Sequence, residues 1–341
     1  MKTITKLFLV ILSASSLVLS SANAGELSVS GGATATLMQG GSDNSMGKAI
    51  GVSNELDFNA SGELDNGYTW TWQTQLDDAG TVNDDTRLEV GTPYGTVGFY
   101  ISENDISSKL GYGIGAMGPG SDYASPTTVQ WGTTMNSYNN IGLSTPAGLL
   151  PFGGTVNIAY APNTVKAQGA SAKASATVDT QSTGKHAYAI RVKAAPMDGL
   201  AVGIDAMAHD QASGDQRYSA SSAGAFVKYT TGPIAVGLAR TEYEPSQARA
   251  TDTTDHYQTD MYGLQFAVND ALSLSVSEEK STASASDAAA SADVEMTVTH
   301  VQAAYVIGGA TLGLALADAD NSDYTSGKSE KTTVLSVAMA F

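Results

Sequence analysis

From Gly25 onward, apolar residues recur at every second position, with small or polar residues between them. Leu56, Phe58, Ala60 and Leu64 alternate with Glu55, Asp57, Asn59, Ser61 and Glu63. Tyr68, Trp70, Trp72 and Leu76 alternate with Thr69, Thr71, Gln73 and Gln75. Near the C-terminus, Leu312, Leu314 and Leu316 stand against Gly313, Ala315 and Ala317, and Leu335, Val337, Met339 and Phe341 against Ser336, Ala338 and Ala340. Successive side chains of a strand point to opposite faces, so this period predicts strands with one apolar face and one small or polar face. No helical period persists for long.

Turn signals pair these runs into hairpins. Tight connections are predicted at Asp65-Asn66-Gly67, Pro93-Tyr94-Gly95, Pro196-Met197-Asp198-Gly199, Thr231-Gly232-Pro233, Asn269-Asp270 and Gly308-Gly309, with a slightly longer one over 146–154. Longer polar segments alternate with them, at 39–49, 79–83, 103–135, 162–184, 210–221, 244–256, 280–292 and 319–330. The strands lie near 26–38, 50–64, 67–78, 84–92, 95–102, 136–145, 153–161, 185–195, 200–209, 222–230, 233–243, 257–268, 271–280, 293–306, 310–318 and 331–341. Sixteen is even, so both termini fall at the short-turn end.

The two faces choose the environment. In a soluble sandwich the apolar face packs a core and the polar face meets water. Here the second face carries Gly, Ala, Ser, Gln and charges, too small and polar to fill a dry barrel, while the first carries Leu, Val, Ile, Trp and Tyr. A closed barrel in lipid satisfies its backbone and has no edges. The prediction is an all-β transmembrane antiparallel barrel with short periplasmic turns and long external loops. Tyr68, Trp70, Tyr160, Tyr188, Tyr229, Tyr262, Tyr305 and Phe341 fall near strand ends, as an interfacial girdle requires.

Composition narrows the chemistry. A mean hydropathy of −0.08 excludes a polytopic helical membrane protein and leaves a barrel open, because alternation hides the apolar residues. The absence of cysteine excludes disulfides, thiol catalysis and thiolate metal sites. A net charge of −17 argues against nucleic acid as a partner. At the N-terminus, Lys2 and Lys6 flank an apolar run that fades by Leu19, and Ala22-Asn23-Ala24 has the small-x-small form of a cleavage site. Residues 1–24 therefore read as a secretory signal peptide and 25–341 as the barrel domain. Cleavage removes lysines and no acid, which makes the mature chain more acidic still.

Motifs for catalysis or cofactors find little support. Gly113-Ile114-Gly115-Ala116-Met117-Gly118 matches G-x-G-x-x-G, but it sits inside a long loop with Pro119-Gly120 next, so a tightly turning loop is expected. Asp318-Ala319-Asp320-Asn321-Ser322-Asp323 fails the calcium-loop pattern, which needs Gly and Glu where Asp323 and Ser329 stand. Loose divalent binding by acidic loops, including Asp77, Asp78, Asp84 and Asp85, is the remaining cofactor expectation. His186, His209, His256 and His300 lack metal-ligand spacing. His209-Asp210 at a strand end has no second matched pair, and no G-x-S-x-G is present, so no enzyme is predicted. Arg240 shares parity with Ile234, Val236 and Leu238; near the outer end of its strand it is expected to reach lipid head groups or to follow a bulge.

Several segments together resemble one family. Gly25-Glu26-Leu27, the run from Arg87 to Gly98, Tyr138-Asn139-Asn140 leading to Ser144-Thr145-Pro146, and the terminal Leu335, Val337, Met339 and Phe341 are similar to stretches of the bacterial outer-membrane general porins. The likeness extends over essentially the whole mature chain. It implies a homotrimer of water-filled pores in the outer membrane of Gram-negative type, with the third long loop, here 103–135, folded into the pore. It also implies contact with outer-membrane lipid and lipopolysaccharide, and recognition of Phe341, Met339 and Val337 by the barrel-assembly machinery. Glu103, Asp105 and Asp122 are then the loop carboxylates of a constriction. By parity Arg87, Glu89, Arg191, Lys193, Asp205 and Lys228 face them from the wall. The loop lacks the acidic density of the enteric members, and only Arg87 matches an expected wall arginine. The expected function is diffusion of small hydrophilic solutes and ions, favouring cations. A solute-specific channel would need a stacked aromatic track or a dense basic ladder on the inward parity, and neither is evident in the sequence. A non-conducting surface or adhesive barrel is the remaining alternative.

Overall fold

The computed structural model describes residues 25, 27–42, 45–77, 82–118, 125–127, 129–162, 164, 186–210, 220–245, 254–285 and 292–341. The signal segment, Asp78 and Asp122 lie outside them. Sixteen strands form: β1 (Leu27–Ser42), β2 (Ser45–Glu63), β3 (Thr69–Asp77), β4 (Val82–Thr92), β5 (Gly95–Ile101), β6 (Asn140–Ser144), β7 (Thr155–Ala161) and β8 (Ala187–Met197). The second half adds β9 (Leu200–His209), β10 (Ala220–Thr231), β11 (Ile234–Glu244), β12 (Thr254–Ala267), β13 (Leu272–Ala285), β14 (Val294–Ile307), β15 (Ala310–Asp320) and β16 (Ser329–Ala340). Each pairs antiparallel with its sequence neighbours, and β1 pairs with β16 to close the barrel. At the seam Leu37 sits opposite Leu335, and Gly31 and Phe341 exchange two backbone hydrogen bonds of 2.9 Å.

All sixteen expected strands are present, and the differences lie at their outer ends. The polar stretch 39–49 is not a long loop: β1 and β2 pair without interruption up to Ser42 opposite Ser45. Likewise β13 continues to Ala285, well into the stretch 280–292. Backbone pairing does not stop where apolar residues do; above the apolar band of the outer surface, outward positions turn polar while the ladder continues.

Side-chain parity follows the sequence reading. Leu88, Val236, Leu264, Leu274, Leu314 and Leu335 are among the exposed large apolar residues of the outer surface. Met339 and Phe341 are also exposed there. Arg240 is outward too. The register through its pair with Asp260 is regular, so no bulge re-aims it; its guanidinium instead holds Asp260 through Nε at 2.5 Å and Nη2 at 2.7 Å.

The core is not at the barrel axis. The segment between β5 and β6 enters the lumen and packs on the inner wall, and the buried clusters form at that contact. Ile106 and Met135 pack with Ala159, Ala161, Ala187, Ala189 and Met207. Tyr112 and Ile114 pack with Phe226, Ala235, Ala239 and Met261. Val129 packs with Met296, Val298 and Ala319. The alanine-rich inner face that is too small to fill a barrel alone is the right size to receive a loop.

Candidate functional site: the loop-lined lumen

The loop leaves β5 through Ser102 and Asn104, both at positive φ, and its two roots are tied by one side chain. Asn140, at the start of β6, accepts from Asn104 Nδ2 at 2.8 Å and donates through its own Nδ2 to the carbonyls of Glu103 and Tyr138, each at 3.0 Å. In the sequence Asn140 belongs only to a stretch similar to general porins; the role of its amide is legible only once the two loop ends are adjacent.

From there the outbound arm runs along the inner wall. A short helix, α1 (Ser108–Tyr112), packs on β9, β10 and β11 and ends at Gly113 in the left-handed conformation. The G-x-G-x-x-G stretch follows, and its N–H groups face the wall. Gly115 N donates to Gln265 Oε1 at 3.3 Å, Ala116 N to Ser275 Oγ at 2.8 Å and Met117 N to Gln302 Oε1 at 2.9 Å. Three strands thus hold three consecutive amides, and no concave nest faces outward for a phosphate. Glycines on the wall make room for the loop. A Cβ at Gly263 would stand 2.3 Å from Tyr112 Oη, and one at Gly237 2.6 Å from Ile114 Cγ1.

The return arm lies on the same wall. Thr127 Oγ1 donates to Asp323 Oδ1 at 2.8 Å, Gln130 N donates to Tyr324 Oη at 3.1 Å, and Ser222 Oγ donates to the carbonyl of Thr133 at 3.2 Å. Asp323 also holds Lys328 at 2.5 Å, and these bonds keep its carboxyl below the usual carboxylate range. On the inward parity Tyr243 stacks on Tyr257, with centroids 6.0 Å apart and an interplanar angle of 18°, and Tyr324 lies 5.1 Å from Tyr257. The stack is confined to this pair, because Tyr324 meets Tyr257 at a tilt of 58°. Tyr324 comes from the connection between β15 and β16, so its place beside the pair could not be read from strand parity.

The expected constriction residues divide into two groups. Arg87 and Glu89 on β4 face the lumen, and Arg87 Nη1 contacts Glu103 Oε1 at 3.1 Å and Oε2 at 3.2 Å. Tyr100 Oη donates to Glu89 Oε1 at 2.7 Å and Thr71 Oγ1 to Glu89 Oε2 at 3.1 Å. Burial pushes the Glu103 carboxyl above the usual range, outweighing the attraction of Arg87, and burial does the same for Asp105 against Arg191. The second group lies under the loop. Arg191 Nη1 donates to the carbonyl of Asp105 at 3.3 Å, with Asp205 beside it in register, and Lys228 Nζ donates to the carbonyl of Gly113 at 2.8 Å. Lys193 lies on the same inner face. Arg191 and Lys228 touch loop backbone and do not stand across a gap from loop carboxylates.

A charge-assisted hydrogen bond of this kind contributes about 1.5–3 kcal/mol. Lys228→Met should therefore loosen the end of α1, read as faster protease cleavage between 105 and 118 with the barrel itself intact. An unchanged cleavage rate would show that Lys228 does not tether the loop.

The wall left uncovered was not singled out by sequence reasoning. No described residue of β1 or β2 is buried, and Met38 is 42% exposed although it faces inward. There Glu55 on β2 lies in register with Asp77 on β3, and Asp57 accepts from Gln73 Nε2 at 3.0 Å and Gln75 Nε2 at 3.2 Å. With Ser30, Thr34 and Ser53 these acids line a concavity of about 470 Å³. The signal was available, since Glu55 and Asp57 stand opposite Leu56 and Phe58 in the alternation. Among the described residues no group of three His, Cys, Asp or Glu side chains is arranged to hold a metal ion.

No protein-family model and no curated protein sequence matches the chain. Solved structures do. A loop-deletion mutant of OmpT, an outer membrane protein of Vibrio cholerae, aligns with a TM-score of 0.68 at 14% identity, covering 94% of this chain and 100% of that one. An anion-selective porin from Comamonas acidovorans aligns at 0.67 and 14%, covering 93% and 100%. OmpF of Salmonella typhi in complex with daunomycin aligns at 0.65 and 14%, covering 93% and 98%. At these identities the likeness establishes architecture: the chain has the closed sixteen-stranded antiparallel fold found in these outer-membrane proteins.

Proposed function

We propose that the protein is an outer-membrane diffusion channel for small hydrophilic solutes and ions, with a preference for cations. The observation that carries this reading is the division of the inner wall. One side is covered by the described residues of the loop, 103–118, 125–127 and 129–135, while the other, β1 to β4, exposes Glu55, Asp57, Asp77 and Glu89, with Arg87 held by Glu103. A cleft lined by one sign of charge between low-dielectric walls concentrates ions of the opposite sign. Because a barrel of this fold is described as anion-selective, the sign of selectivity must come from lining charge and not from architecture.

The reading extends to the outer membrane as location, a homotrimer as assembly, lipid and lipopolysaccharide as surroundings, the assembly machinery as the reader of Phe341, Met339 and Val337, and removal of residues 1–24. Purified protein in planar bilayers should give stable conductance steps, a cation-favouring reversal potential, and exclusion of neutral solutes above a sharp size limit. Well-folded protein without conductance would overturn the channel reading in favour of a surface barrel.

Acidification adds a check. Because burial raises the carboxyls of Glu103 and Asp105, they take up protons above the usual carboxylate range as pH falls. The cation preference should begin to decline there, and Glu103→Gln should remove the earliest part of that decline. A decline that starts only in the ordinary carboxylate range would refute this role for Glu103.

The stacked Tyr243 and Tyr257 favour a second reading, a channel selective for ring-shaped solutes. Concentration-dependent block of ion current by sugars, lost in Tyr257→Ala, would establish it; block-free current would leave the rings as a bed for the loop.

A further inference from the structure

Thioethers recur where the loop meets the wall. Among the described residues, each buried cluster at that contact holds at least one: Met135 and Met207 with Ile106, Met261 with Ile114, Met296 with Val129, and Met117 with Ala315, Ala317 and Val334 of β15 and β16. Met135, Met207, Met261 and Met296 are at most 3% exposed, whereas Met117 is only half-buried. Gly313 on β15 makes room for the end of its side chain, since a Cβ there would stand 2.2 Å from Met117 Cε and 2.9 Å from Sδ. Gly313 pairs with Ser336 on β16, and Ser336 with Thr36 on β1. Met117 thus lies where the covered wall gives way to the open one. Met38 on β1, opposite Val334, is the exposed methionine across that border.

Met117 has two anchors of different kinds. Its N–H donates to Gln302 Oε1 on β14 at 2.9 Å, while its side chain supplies the contact with β15 and β16. Oxidation acts on the second. Sulfur is the readily oxidised atom of protein side chains, and this chain has no cysteine to compete for a peroxide. A lone pair of the thioether forms an S–O bond with one oxygen of hydrogen peroxide as the O–O bond breaks. The proton of that oxygen passes to the departing one, which leaves as water; the sulfur has lost two electrons and the peroxide has gained them. The sulfoxide oxygen is a strong acceptor, and burying it among Ala315, Ala317 and Val334 without a donor costs free energy. A displaced thioether can turn and still pack, but a sulfoxide carries its oxygen wherever it turns.

We propose that Met117 is a modification site for small peroxides that enter the lumen, and that its sulfoxide unseats the end of the outbound arm from β15 and β16. The released end moves toward the open wall, so the bore narrows. Hydrogen peroxide is itself a small hydrophilic solute, and the pore then closes down on an oxidant that it admits. That consequence rests on the channel reading; the modification and the release of the arm do not.

Folded protein treated with graded hydrogen peroxide and mapped by peptide mass spectrometry should form sulfoxide at Met38 and Met117 at least about tenfold faster than at Met135, Met207, Met261 and Met296, because oxidation follows exposure. Met261 should lag and then accelerate once Met117 has converted. Met117→Leu should remove that acceleration while Met38 reacts as before. Protease cleavage between 105 and 118 should rise, and single-channel conductance fall, in proportion to the fraction of Met117 sulfoxide. Met117→Gln, which places a polar side chain of similar length, should show both changes without oxidant. Equal rates at Met117 and Met261 would overturn the site. Sulfoxide at Met117 with cleavage unchanged, the result if Ser336 Oγ satisfies the oxygen in place, would overturn the release, as would a response that survives in Met117→Leu. Oxidant-raised cleavage in a protein that carries no current would count against the channel alone.

Discussion

Replacing Glu55, Asp57 and Asp77 with lysine will reverse the sign of the reversal potential measured across a salt gradient, from cation-favouring to anion-favouring. The three side chains lie on the uncovered wall, and the lysines would stand within about a Debye length of ions passing beside them, roughly 8–10 Å in physiological salt. Neutral variants at the same positions, Glu55→Gln, Asp57→Asn and Asp77→Asn, preserve side-chain shape and should bring the potential close to zero. If the sign stays cationic in the lysine protein while Glu103→Gln alone moves it, selectivity belongs to the loop and the wall assignment fails. The effect should shrink as salt rises, because screening acts on exposed lumen charge.

The second large effect belongs to the glycine seats. Gly263→Val places a Cβ 2.3 Å from Tyr112 Oη and 2.6 Å from Ile114 Cγ2, against ordinary contacts of ~3.5–4.0 Å. The barrel wall is a closed hydrogen-bonded ladder and cannot yield outward, so the loop must move into the lumen. Overpacking of this size costs about 1–3 kcal/mol. Single-channel conductance should fall at least about twofold, on the general rule that a narrow constriction sets flow. Gly313→Ala is the control. Its close neighbours are the Met117 Cε at 2.2 Å and Ser336 Oγ at 2.5 Å, ends of side chains that can rotate away. Equal losses from both substitutions would mean that seating at Gly263 does not set the bore.

These expectations rest on features of unequal visibility in the sequence. Strand number and parity were legible because alternation is local: Leu312, Leu314 and Leu316 declare their face without reference to any other segment. Strand ends were less so, since Gln39 to Ser42 and Ser281 to Ala285 pair in the ladder while carrying the polar residues that elsewhere mark loops. The partners of Arg191 and Lys228, the carbonyls of Asp105 and Gly113, belong to a loop whose path parity does not encode. That path depends on glycines and amides spread over β11 to β15, each unremarkable in its own strand. Glu55 and Asp57 were visible in the alternation, but their significance appears only when the opposite wall is seen to be covered.

The order in which the chain is made bears on one of these features. The loop is carried between β5 and β6, and while its ends seat on β7 to β9, the amides of its outbound arm seat on β12 to β14, so most of the barrel must be in place before that arm has anywhere to dock. Until then Ile114 and Val129, which pack on β10 to β15, have no wall to cover them. An assembling chain would thus pass through a wide, unobstructed ring and acquire its narrow bore last. Any agent that holds the late strands apart would prolong that stage.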